Sequence, residues 1–218
     1  YSISDCPFDD VKEMFINGCK FINNITGKYP TAYRAGGYSF MNNKQFIDFL
    51  TSIGIVKDSS VIMGEKSYTL FQKYDYSNVR TCSIYNFSND VVIPDTNGIM
   101  TEYPITTIKS KLIIRSLVNR FIRYRYGKLI RRYGDGIGVG AMNLNKPKNN
   151  ILSNITLRAS IDLMNAFWLK YIYRRIRKKG ENAMVIIGHP KNVSNYSFIA
   201  LDKFLRVVNK DDLIKTFK

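Results

Sequence analysis

Histidine is almost missing from this chain: of 218 residues, only position 189 is His. A zinc site takes about three protein ligands, usually His and Cys at fixed spacing. One His and three scattered cysteines, Cys6, Cys19 and Cys82, none of them in a C-x-x-C pair, supply no such set. The odd cysteine count also excludes a disulfide framework, so buried thiols are expected. No apolar run approaches the roughly 20 residues that cross a bilayer, the longest being broken by Lys, Arg or Asn. No Pro/Gly/Ser-rich linker and no internal repeat divides the sequence, so one domain over residues 1–218 is expected. Acidic residues are scarce: 17 Asp+Glu against 33 Lys+Arg leave a formal net charge of +16, which favours an acidic partner or surface. No signal-like segment follows Tyr1, and because that residue is not Met the natural N-terminus is expected upstream. Cytoplasm and cell envelope both stay open as locations, and so does the oligomeric state.

What is present reads as a folded chain, since 45% hydrophobic and 23% charged residues lie far from the composition of disorder. "FDDVKEMFINGCKFINNIT", residues 8–26, predicts an amphipathic helix with Val11, Met14, Phe15, Cys19, Ile22 and Ile25 inward. Asp9 and Asp10 stand in its first turn and Gly27 just past its end. "TAYRAGGYSF" predicts a short strand entering a glycine turn, and "NNKQFIDFLTSIG" a second helix with Phe46, Phe49, Leu50 and Ile53 inward. "VKDSSVI" and "GIMTEYPITTI" predict strands around a polar, aromatic excursion at 66–98, with Pro104 at an edge or bulge. Residues 109–132, with nine Lys/Arg, predict a basic helix with Leu112, Ile113, Leu117, Phe121, Ile122 and Leu129 packed inward. Its charges then form a solvated face, and no nucleic-acid-binding motif accompanies them. "GDGIGVGAMN" predicts a loop. The last third predicts strand 155–164, helix 165–179, strand 183–189 and helix 196–208, the two strands pairing in parallel.

In such α/β arrangements chemistry collects where strands end, and Arg34, Asp162 and His189 all stand at such ends. His189 precedes Pro190 and either closes a buried strand or carries a proton. Asp162 either caps the helix beginning near Asn165 or holds the imidazole oriented. Arg34 is either a surface residue before a tight turn or part of a ligand site. In the second case Gly36 and Gly37 let backbone N–H groups come close to an anion.

Taken in order, "ITGKYPTAYRAGGYSF", "FLTSIGIVKDSSV", "YDYSN", "GIMTEYPI" and "MVIIGHPK" resemble the polysaccharide deacetylases of the NodB-homology class, the family 4 carbohydrate esterases. "YRAGG" matches the family's arginine motif in its Gly-Gly form, and "IIGH" its closing motif. The resemblance implies an α/β fold, a partial or distorted (β/α) barrel, in which a divalent metal, zinc as a rule, activates water to remove N- or O-acetyl groups from a glycan. It implies His189 as the acid that protonates the leaving amine, Asp162 as the carboxylate tuning it, and Arg34 as orienting the catalytic base. Ile187 would line the acetyl pocket, and a backbone N–H of Gly37 or Tyr38, on the turn from Gly36, would hold the oxyanion. "PFDD" at 7–10 imitates the family's first motif, but it stands close before Arg34 with no His between, so it reads as a helix start. The metal ligands are therefore expected upstream of Tyr1 or absent, and no metal site is expected in this chain alone. The partner implied is a glycan and not nucleic acid. The alternatives are an inactive glycan-binding member of the fold and a basic nucleic-acid or membrane-surface binder.

Overall fold

A computed structural model describes residues 3–69, 72–134, 152–208 and 214. Its elements fall into two units, Tyr1–Pro104 with Lys215–Lys218, and Ile105–Ile214; the boundary has no linker composition.

In the first unit, helix α1 runs Phe8–Thr26 and ends as predicted, where Gly27 takes the left-handed conformation (φ 70°) and its N–H donates to Asn23 O. Strand β1 (Ala32–Tyr33) follows, then helix α2 (Lys44–Ser52), whose first turn is capped by the Asn43 side chain accepting the Phe46 N–H at 2.8 Å. β2 (Lys57–Asp58), the hairpin β3 (Lys66–Tyr68) with β4 (Lys73–Asp75), β5 (Tyr85–Phe87) and β6 (Met100–Glu102) complete the unit. β1, β2 and β6 pair in parallel, and β5 adds antiparallel at the edge. The register sets Tyr33 beside Asp58 and Asp58 beside Glu102, so three strand ends lie side by side. Both helices meet this sheet through aromatic rings: Phe15 lies 5.5 Å from Phe46 and 5.2 Å from Tyr33, and Phe40 5.6 Å from Phe46. The inward set predicted for α1 is partly wrong. Val11 and Cys19 are buried, but Met14, Ile22 and Ile25 are exposed, because the helix rests on the unit along only part of its apolar stripe. Cys82 is buried and Cys6 exposed, with no disulfide among the three.

In the second unit, β7 (Thr107–Lys111) leads directly into α3 (Leu112–Tyr126) and a 3-10 turn at Gly127–Ile130. The single helix predicted over 109–132 therefore begins as strand. Thr107 and Ile108 are buried against antiparallel β8 (Asn154–Arg158), and pairing of these β-branched residues overrides the basic, helix-like pattern. Of the six apolar residues expected inward, only Ile122 is buried, while Leu117, Phe121 and Leu129 are exposed. The predicted loop 134–143 lies outside the described residues beyond Gly134. A 3-10 segment Leu163–Trp168 runs into α4 (Leu169–Lys178), and α5 (Asn195–Leu205) starts at a capping box between Ser194 and Ser197.

The predicted strand 183–189 forms no continuous ladder, but its parallel placement beside 155–164 is present. Where β7 and β8 part, residues 185–187 enter between them through parallel bridges Ile105↔Val185 and Ser160↔Ile187. Thr106 N–H donates to Val185 O, Ile187 N–H to Ala159 O and Ile161 N–H to Ile187 O. The fully buried Thr106 hydroxyl oxygen accepts the Val185 N–H at 2.9 Å, which fixes the height of the insertion. The fold is thus mixed α/β with small sheets. Among the described residues no helix is long and apolar enough to cross a membrane.

Candidate functional site

The insertion of residues 185–187 sets Asp162 and His189 just beyond two adjacent parallel segments. The Asp162 carboxylate takes both of its close contacts from His189: Oδ1 accepts the backbone N–H at 2.8 Å and Oδ2 meets ring Nδ1 at 2.7 Å. This two-point hold fixes the ring plane and directs Nε2 away from Asp162. Asp162 does occupy the position before the 3-10 segment, but its side chain makes no cap there; only its backbone carbonyl accepts, from the Asn165 N–H. Of the two roles open in the sequence, the structure gives that of histidine partner.

Burial is graded across the pair. The Asp162 side chain is 13% exposed and the His189 ring 38%, so the carboxylate is shielded while the imidazole edge reaches solvent. Two backbone features make the approach feasible. Leu163 has a positive φ of 45°, a strained turn for a branched residue, immediately after Asp162. Gly188 admits the opposite segment so closely that a Cβ there would stand 2.5 Å from Ile161 Cγ1. Ile187 is buried and bridged to Ser160, next to His189.

The remaining predicted residues lie in the first unit, past the end of β1. Arg34 is exposed, and Gly36–Tyr38 form a single 3-10 turn in which both Gly37 (φ 61°) and Tyr38 (φ 64°) are left-handed. Tyr38 N–H donates to Ala35 O at 3.0 Å, which removes it as an oxyanion donor and leaves Gly37 as the candidate on this turn. Tyr38 O accepts from the buried Tyr76 hydroxyl at 2.6 Å, locking the turn from behind.

That turn is anchored by two acids that the sequence reading passed over. Ala35 N–H donates to Ser60 Oγ (2.8 Å), and Ser60 donates through its hydroxyl to Asp58 Oδ1 (2.8 Å) and through its N–H to Asp58 Oδ2 (2.9 Å). Val61 N–H donates to Glu102 Oε1 at 3.1 Å. Both acids are wholly buried on neighbouring strands, and among the described residues Glu102 Oε2 has no hydrogen-bond donor. Burial pushes Glu102 well above the usual carboxylate range, and the adjoining Asp58 charge pushes it further. Burial also raises Asp58, against the opposing pull of its hydrogen bonds from Glu102 and Ser60. Glu102 is therefore the partner that keeps a proton, and that proton bridges the two acids. The signal available in "VKDSSV" and "TEYPI" was an acid at the end of each of two strands in a parallel sheet, where an unpaired charge is not tolerated.

Among the described residues no group of three His, Cys, Asp or Glu side chains could hold a metal ion. Asp9 and Asp10 are exposed at the start of α1, and Asp9 pairs with Lys12 at 2.7 Å. No protein-family model, curated protein or solved structure matches the chain.

Proposed function

We propose that this chain carries the proton-donating side of a polysaccharide deacetylase-like site, in a distorted (β/α) barrel of the NodB-homology type acting on an acylated glycan. The observation that carries the reading is the two-point hold of Asp162 on His189 at the ends of adjacent parallel segments. Such a hold is what a general acid needs. The carboxylate fixes the ring, and Nε2–H would face the leaving nitrogen as the C–N bond breaks. Arg34 and the Gly36–Gly37 turn belong to the first unit, where Ser60 and Asp58 brace the turn. Ile187 would set the size of the acyl group.

A divalent metal would supply the activated water in such a reaction. The described residues do not fit one, and its ligands and the base would have to come from outside this set. The exposed face of α1, with Met14, Ile22 and Ile25 open, supports a further element packing against the first unit.

The test is acetate release from N-acetylated chitooligosaccharides and O-acetylated xylan by the natural gene product with zinc added. His189→Ala is expected to lower the rate about 10²- to 10⁴-fold, and Asp162→Asn to lower it less. Wild-type rates in His189→Ala would sink the assignment. Glycan binding without turnover would favour the inactive member of the fold.

A further inference from the structure

The net charge is not shared between the two units. Residues 105–214 hold 22 Lys/Arg against 6 Asp/Glu, while the rest of the chain holds eleven of each. Within the second unit the densest run is 109–132, with nine cations and no acid. α3 sits in this run, and its orientation is unusual. Its buried side is set by Ile122, with Arg115 and Tyr126 half-buried beside it. Its solvent side presents Leu117 (63% exposed), Phe121 (56%) and Tyr124 (90%), with Ile114 also exposed. At about 100° per residue these side chains share one stripe, with Arg120 along one margin and Arg125 along the other, while Arg123 lies further round the helix. Where the helix ends, Arg123, Lys128 and Arg131 line an open depression.

We propose that α3 is an interfacial helix that docks this protein on an anionic phospholipid surface, with Leu117, Phe121 and Tyr124 entering the headgroup region. Arg120 and Arg125, which flank the stripe, meet the lipid phosphates. Two features select this partner. The cations require an anionic one, and the apolar stripe between them requires one that accepts hydrocarbon at the same depth. A nucleic-acid backbone satisfies the first and offers Leu117 and Phe121 nothing. Tyr124 belongs at the boundary, ring inward and hydroxyl in water. The inference does not rest on the deacetylase reading, since it uses none of that site's residues.

The test uses the full chain with vesicles of phosphatidylcholine alone and of phosphatidylcholine with roughly one third phosphatidylglycerol. Flotation is expected with the second and not the first, weakening as salt rises. Leu117→Gln with Phe121→Gln is expected to weaken partitioning about tenfold or more, with circular dichroism unchanged because both positions are exposed. Arg120, Arg123 and Arg125 all changed to Ala should abolish it. Tyr124→Trp is expected to shift its emission to the blue and lose accessibility to iodide on the anionic vesicles. No flotation, or flotation indifferent to the Leu117/Phe121 pair, would overturn the proposal. Duplex binding that survives that pair, with no vesicle binding, would assign the surface to nucleic acid instead. A concentration-dependent dimer lost in Phe121→Gln, with no vesicle binding, would assign it to a second copy.

Discussion

At the scale of single residues, His189 is its own reporter, because no other imidazole contributes to a spectrum of this chain. The Asp162 contact predicts that the neutral ring carries its proton on Nδ1, and that Asp162→Asn releases it toward the Nε2–H form. Imidazole ¹⁵N shifts of the wild type and of Asp162→Asn check this, and an unchanged tautomer would mean that the carboxylate does not hold the ring. Gly188→Ala tests the approach from the other side. A methyl 2.5 Å from Ile161 is expected to cost about 1–3 kcal/mol in urea unfolding, and Ile161→Ala in the same chain should recover most of it. Asp162 and His189 were legible in the sequence because both stand at strand ends. Which of its two roles Asp162 takes was not, because a cap and a histidine partner call for the same residue type. Asp58 and Glu102 were overlooked because each makes sense only beside the other, and that pairing is a matter of strand register.

At the scale of elements, β2 and β6 are joined by more than their ladder. Glu102 holds its proton when folded at pH values where it would be ionised in the unfolded chain, so folding takes up a proton. This contribution is greatest below the ordinary carboxylate range and declines as pH rises toward the raised folded value. Among the described residues, Tyr33, Tyr76 and Tyr85 lie near enough to feel the pair's charge, and none of the three offers a compensating positive one. Glu102→Gln keeps an acceptor for Val61 and offers Asp58 an N–H, so it is expected to differ from wild type by under about 1 kcal/mol near pH 5 and to be the more stable at pH 9. Denaturant midpoints across pH read this directly, and parallel curves would refute the shared proton. Ser60→Ala removes the acceptor for Ala35 and a donor to Asp58, with an expected cost of about 1–3 kcal/mol. The helices α1 and α2 were legible from apolar spacing, and the end of α1 from Gly27. α3 was legible as a helix but not in its facing: periodicity shows that a helix has an apolar stripe, not that the stripe turns inward.

At the scale of the whole molecule, charge and structure divide at the same boundary, with the entire formal excess of +16 in residues 105–214. Self-repulsion there predicts that thermal stability rises between low and near-physiological salt, as screening shortens to about 8 Å. Flat melting temperatures across that range would show the cations to be already neutralised within the fold. The insertion of residues 185–187 between β7 and β8 has a temporal consequence as well. β7 and β8 can meet as soon as residue 158 has been made, whereas His189 reaches Asp162 only after a later stretch has threaded into the gap they leave. That stretch is retained by isolated bridges rather than a ladder, so it is also the part that lets go first. Amide exchange should then be faster at Ile161 and Ile187 than at Ile108 and Leu157. The histidine and its carboxylate would separate and re-form many times within the lifetime of the folded unit.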